Sequence, residues 1–274
     1  MFGPAAEQYS PDWQRGQGGV RLPGMRIKYI IPFPFDVGQD IRSAQVPDDL
    51  LGEGTHVECV PVRNTATLVD CYYEDLIFEM YIVEAGLRAE EEGYDAVVMD
   101  TVSDSGLAAL RSRLSIPVLG PGLVSYAVAI MLGKRFSIIT MWDQWRHLYE
   151  KNLDTYHLWG HCASIRAAGI RPDMEELLSG KEETVFPRLT EEARLAITED
   201  GADVILLGST TMHQAADYMA RHLDAPVINP GPVAIKMAEA MVQLGLSHSK
   251  VAFPSPAVIQ DEKFFSLVSA PKPV

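Results

Sequence analysis

Short apolar runs alternate along this chain with longer stretches of helical periodicity. Arg26 to Ile31 is a β-branched run closed by Pro32 and Pro34, which predicts a first strand. Asp40 to Gly54 reads as a loop or short helix, and His56 to Val62 as a second strand. Leu76, Met80, Val83 and Leu87 recur near a 3.6-residue spacing within Asp70 to Glu92, predicting a long helix stopped by Gly93. Ala96 to Met99 is a continuous apolar run between polar neighbours, as in a parallel strand buried on both faces. A polar loop from Asp100 to Gly106 and a short helix follow, then strand Val118-Leu119, a helix from Val124 to Leu132 and strand Phe136 to Thr140. Strand and helix in alternation predict an α/β fold with parallel sheets flanked by helices.

The arrangement then repeats. Gly93 matches Gly201, Asp95 matches Asp203, Pro117 matches Pro226, and Gly120-Pro121-Gly122 matches Asn229-Pro230-Gly231. Glycines, prolines and strands kept in step over about 45 residues indicate two homologous halves. They predict two pseudo-symmetric lobes, with residues 25–140 as the first and 141–250 as the second. Residues 1–24 read as a tail or arm open to ordering by an oligomer partner, and 251–274 as a C-terminal segment returning to the first lobe. The repeat aligns Thr101 with Ser209, each directly after a strand. Ligands of open α/β sheets bind beyond the carboxyl ends of strands, where loops lead into helix N-termini. The expected site is therefore the cleft between the lobes, with Thr101 and Ser209 on opposite sides of one small ligand.

Composition narrows the partners. Of 274 residues, 47% are hydrophobic, enough for a substantial core, and the formal charge of -14 argues against a phosphate backbone as partner. No apolar run approaches the ~18–20 residues that cross a membrane. Cys59, Cys71 and Cys162 fit neither a disulfide framework nor a metal knuckle, which points to a reducing, cytoplasmic location.

Several stretches carry a family resemblance: Cys71-Tyr72-Tyr73-Glu74, Glu92-Gly93-Tyr94-Asp95-Ala96, Ser105-Gly106-Leu107, Leu132 to Thr140, Cys162 to Ala167 and Gly245 to Lys250. Together they resemble the aspartate/glutamate/hydantoin racemase superfamily, in its hydantoin and allantoin racemase branch. The resemblance implies two α/β lobes with the active site between them, a homo-oligomer, and one catalytic cysteine per lobe. On this chain those cysteine positions fall on Thr101 and Ser209, and the family's Asn-Pro-Asn falls on Ile31-Pro32-Phe33. A thiol with a reference pKa of about 8.5 is readily tuned into a base, whereas a hydroxyl needs a neighbouring group to activate it.

The expected catalytic set is thus Thr101, Ser209, Asp100 and His213, with Pro32, Phe33, Ser103, Thr210, Thr211 and Tyr126 binding substrate. Thr101 and Ser209 also suit simple helix capping. Asp100, Asp104 and His213 form a conceivable divalent-metal set for Zn, Mn, Co or Fe. His56, Glu58 and Cys59 make a weaker one, more in keeping with a structural role. Trp142, Trp145 and His147 read as core or as an oligomer contact. The reading placed first is a lyase- or hydrolase-type enzyme acting on a hydantoin-like or thiohydantoin ring, or on a related carboxylate. The second is a racemase or isomerase with Asp100 and His213 as bases, and the third a non-catalytic binding protein.

Overall fold

The computed structural model describes residues 24–34, 45–47, 49–172 and 184–269. The arm expected at residues 1–24 lies outside these apart from Gly24, as do residues 40–44 and 48 of the segment from Asp40 to Gly54. Two four-stranded parallel sheets form the frame. The first joins β1 (Arg26–Ile31), β2 (His56–Pro61), β3 (Ala96–Met99) and β4 (Val118–Leu119) in the order β2-β1-β3-β4. The second joins β5 (Phe136–Thr140), β6 (Cys162–Ala167), β7 (Val204–Leu207) and β8 (Val227–Ile228) in the order β6-β5-β7-β8. Each sheet thus repeats the other strand for strand.

The repeat extends to the turns before the third strands. Gly93 and Gly201 both take positive φ, 79° and 74°, a backbone region that favours glycine. Asp95 accepts the Arg26 backbone N–H at 2.8 Å, and Asp203 accepts the Arg135 backbone N–H at 3.0 Å. Arg26 and Arg135 then donate to the carbonyls of Glu92 and Asp200 at equivalent places.

From Ile27 to Ile31 β1 is buried on both faces, so its residues there are apolar or, like Lys28, shielded. Ile27, Tyr29 and Ile31 enter one core and Ile30 the core on the opposite face. Helices α1 (Tyr72–Gly86) and α2 (Leu107–Arg113) cover that opposite face. The helix after β4, α3 (Pro121–Leu132), packs on the second sheet, where Tyr126 and Ala129 meet Phe136, Ile138, Val204 and Leu206. Its counterpart α7 (Pro230–Gln243) packs on the first sheet, where Ala234, Ile235 and Ala238 meet Ile27, Val98 and Leu119. The lobes therefore exchange helices. β5 already belongs to the second sheet, so packing does not divide the chain at residue 140. Buried Glu239 of α7 ties the exchange down by accepting from the Gly52 N–H and the Thr55 hydroxyl, both at 2.7 Å.

The second lobe adds α4 (Arg146–Tyr156), α5 (Val185–Thr198) and α6 (His213–Ala220). The C-terminal α8 (Asp261–Val268) returns to the first lobe, where Phe264 and Phe265 pack against the α1 core. α1 is shorter than its periodicity predicts. It ends at Gly86, and residues 87–93 form turns in which Ala89 N–H donates to the Gly86 carbonyl. Its inward face is Asp75, Phe78, Ile82 and Val83, while Leu76, expected inside, is 58% exposed. A carboxylate thus occupies a position of the buried face. Among the described residues no helix is long and apolar enough to cross a membrane.

Candidate active site

β3 and β7 end in the same way. Asp100 N–H donates to the Ile30 carbonyl and Gly208 N–H to the Ile139 carbonyl, both at 2.8 Å, so each ladder runs one residue past its strand. The chain then leaves both sheets at Thr101 and Ser209. Thr101 Oγ1 lies 2.7 Å from Ser103 Oγ and accepts the Ser103 N–H at 3.3 Å. Ser209 Oγ lies 2.7 Å from Thr211 Oγ1 and accepts the Thr211 N–H at 3.3 Å. Both hydroxyls therefore do cap their own turns, and both also border one cavity. Thr210 Oγ1 crosses to the Asp100 carbonyl at 3.1 Å and locks the two turns together.

The cavity measures about 70 Å³. Its polar side is made by Thr101, Ser103, Ser209, Thr210 and Thr211, and its apolar side by Phe33, Val69, Phe78, Trp145 and Leu148. Pro32 and Phe33 stand where the sequence places them, at the end of β1. Sequence reasoning did not find the loop Thr67-Leu68-Val69, nor Phe78, Leu148, Tyr149 and Pro172, and it assigned Trp145 to core or interface. The loop is held from both sides: Glu74 Oε2 accepts the N–H groups of Leu68 and Val69 at 2.8 and 2.6 Å, and Trp145 Nε1 donates to the Leu68 carbonyl at 2.8 Å. Val69 takes φ 54°, a left-handed conformation that costs a β-branched residue roughly 1–3 kcal/mol. Strain of that size at a cavity wall is kept only by such bracing.

Other expected site residues fall elsewhere. Asp104 is buried, and its carboxylate accepts the N–H groups of Gly122 and Leu123 at 2.8 and 2.7 Å and the Tyr156 hydroxyl at 2.9 Å. It caps α3 instead of facing the cleft, and burial pushes its pKa up to about 6 against the pull of those three donors. His213 opens α6 and lines a separate cavity with Gln45, Asp217 and Asn229. The reason is local: Ser209 is extended at φ -148° and is followed by a 3-10 turn, Thr210–Met212, so positions 209 and 213 do not share a helical face. Tyr126 is fully buried under the second sheet, stacked on Phe136 at 5.4 Å, and does not border the cavity. Trp142 also lies off the wall, with the Arg171 guanidinium over its ring.

Asp100 borders the cavity, but Oδ1 of its carboxylate accepts the Tyr29 hydroxyl at 2.5 Å and Oδ2 the Gln45 amide at 3.3 Å. Asp100, Asp104 and His213 therefore do not converge, and no group of three His, Cys, Asp or Glu side chains among the described residues could hold a metal ion. His56 and Glu58 are exposed on one side of β2 with Cys59 on the other, and Glu58 pairs with Arg26 at 2.9 Å. None of the three cysteines borders the cavity. Burial pushes the Cys59 and Cys162 thiols up to about 11, with the Asp100 charge adding to the effect at Cys59. What the cavity offers chemically is a set of hydroxyls opposite an apolar wall.

Comparison with known proteins agrees with this architecture. The Asp/Glu/Hydantoin racemase family model matches residues 43–238. The hydantoin racemase of Pseudomonas sp. (strain NS671) is 31% identical over 198 residues, covering 72% of this chain and 78% of that protein. The hydantoin racemase of Rhizobium meliloti is 33% identical over 165 residues, covering 60% and 67%. Among solved structures, allantoin racemase from Klebsiella pneumoniae superimposes with a TM-score of 0.76 at 28% identity, covering 86% of this chain and 96% of that one. With two matching lobes and these relatives, the chain belongs to the Asp/Glu/hydantoin racemase family.

Proposed function

We propose that this protein is an isomerase that racemises a small hydantoin-like or amino-acid-like substrate, with oxygen groups instead of thiols beside the reacting carbon. The observation that carries this reading is the pair of equivalent hydroxyl turns, Thr101/Ser103 and Ser209/Thr211, bordering one small cavity. By the sequence resemblance, Thr101 and Ser209 stand where family racemases carry cysteines. A ring carbonyl or carboxylate would take hydrogen bonds from the Ser209 and Thr211 side as negative charge develops on it. Phe33, Phe78, Trp145 and Leu148 favour an apolar or aromatic substituent on the reacting carbon.

The relatives named as racemases support isomerase chemistry and lend nothing to the lyase- or hydrolase-type reading. The base pair Asp100 and His213 is set aside, because His213 lies in another cavity. The test is to incubate each enantiomer of a 5-substituted hydantoin with the protein in D2O. Loss of optical activity with deuterium at C5, faster than in buffer alone, supports the proposal. A ring-opened carbamoyl product without racemisation would replace it with hydrolysis.

A further inference from the structure

The two hydroxyl turns differ in what stands behind them. Ser103 Oγ lies 2.8 Å from Ser105 Oγ, and Ser105 Oγ donates to Asp75 Oδ1 at 2.9 Å. The other oxygen of Asp75 accepts the Lys151 ammonium at 2.9 Å. Asp75 is nearly buried on the inner face of α1, whereas Lys151 on α4 is 34% exposed. A continuous file of hydrogen bonds therefore runs from the cavity to the surface: Thr101, Ser103, Ser105, Asp75, Lys151.

The file has a direction. A carboxylate can only accept, so the single proton of Ser105 is committed to Asp75. Ser103 must then donate to Ser105, and Thr101 must donate to Ser103. Thr101 Oγ1 is left facing the cavity as an acceptor. In the second lobe the equivalent of Ser105 is His213, which lies off the file, and among the described residues the side-chain partner of Thr211 Oγ1 is Ser209. Either hydroxyl of that pair can donate outward.

We infer that the first lobe is the proton-removing side of the site, with Asp75 as the terminal proton acceptor acting through Ser105, Ser103 and Thr101, and the second lobe the charge-stabilising side. The inference rests on the racemase reading. In the step, the proton of the substrate C–H bond passes to Thr101 Oγ1 as the Thr101 proton moves to Ser103, the Ser103 proton to Ser105, and the Ser105 proton to Asp75. The C–H electron pair stays on the substrate, spread into its adjacent carbonyl. Reversal of the same shift returns a proton to the face it left, so exchange at Asp75 beside Lys151 brings in solvent deuterium with retention, and inversion requires the planar carbanion to turn over in the cavity before the proton returns. Asp75, Ser105 and Lys151 are positioning residues in this scheme, because none of them reaches the substrate.

Two measurements test it. The first is deuterium uptake at C5 in Asp75→Asn and Ser105→Ala, expected to fall on the order of 100-fold with KM changed only a few-fold. Uptake within about threefold of the wild type in both would overturn the relay and leave the racemase reading standing. The second needs no substrate. In Thr101→Cys, ionisation of the introduced thiol forces Ser103 to turn and donate, which the file to Asp75 opposes. Adding Ser105→Ala cuts the file without altering charge and is expected to lower the thiol pKa by about one unit, read from alkylation rate against pH. An unchanged thiol pKa would overturn the relay even if no hydantoin proves to be a substrate.

Discussion

The turns after β3 and β7 have nearly the same backbone and very different surroundings. In the first, residue 100 is an aspartate whose carboxylate is held by Tyr29, and the hydroxyl file behind Thr101 ends on Asp75. In the second, residue 208 is a glycine whose carbonyl accepts the Tyr149 hydroxyl at 2.7 Å, and among the described residues no carboxylate is hydrogen-bonded to the hydroxyl pair. Duplication supplied two equal strand ends, and the side chains behind them divide the labour. Symmetry of backbone brings two equal hydroxyl turns to one cavity, while asymmetry of polar contacts distinguishes them and, in the proposed scheme, sets which way a proton moves.

The largest expected effect separates the two hydroxyls. Thr101→Ala should lower kcat for racemisation by about 10²–10³-fold, since it removes the atom that meets the substrate proton. Ser209→Ala should lower kcat less, by roughly tenfold, because Thr211 remains as a donor to the developing charge. Steady-state kinetics on one hydantoin decides this, and equal kcat losses in both variants would erase the distinction between lobes.

Exchanging the residues at the two strand ends should cost stability. A Cβ on Gly208 would lie 2.7 Å from the Tyr149 hydroxyl and 3.0 Å from Thr140 Cβ. Gly208→Ala is therefore expected to destabilise by about 1–3 kcal/mol, measured by urea unfolding, because Tyr149 is itself fully packed. Tyr29→Phe should cost about 1–2 kcal/mol by removing a donor from the buried Asp100 carboxylate. Similar losses from Asp100→Ala would show that the pair, and not the lone carboxylate, carries the stability.

The smallest effect concerns Asp104, which caps the exchanged helix α3. Burial raises its folded pKa to about 6, above that of the unfolded chain. The native state then holds more protons between about pH 4 and 6, so this group's contribution to stability declines as pH rises through that window. Asp104→Asn should flatten the corresponding fall in Tm. A steeper fall in the variant would reverse the assigned sign.

Much of this architecture was legible in the sequence because it rests on local pattern. The apolar runs at β1, β3 and β7 and the Gly-Asp pairs before the third strands mark both sheets, and the repeat aligns Thr101 with Ser209. What stayed hidden depends on contacts far apart in the chain. The cavity wall needs Trp145 to reach the Leu68 carbonyl across 77 residues. Asp75 lies beside apolar positions in a helix, and only the packing of α1 turns it inward against Ser105. His213 opens its helix as expected but falls outside the cavity, because an extended cap and a 3-10 turn separate it from Ser209. Tyr126 was misplaced because α3 crosses to the other sheet, a relation that no local pattern carries.

The exchange of α3 and α7 also bears on what a single break in the chain would do. A cut between Leu132 and Phe136 would yield two polypeptides, each missing the helix that covers its own sheet and carrying the one that covers its neighbour's. Neither fragment could close its core alone, yet each holds the other's missing piece, like two hands that each grip the opposite wrist. Co-expressed fragments should therefore find each other and rebuild the cleft, and the intact protein should survive nicking at that point without coming apart.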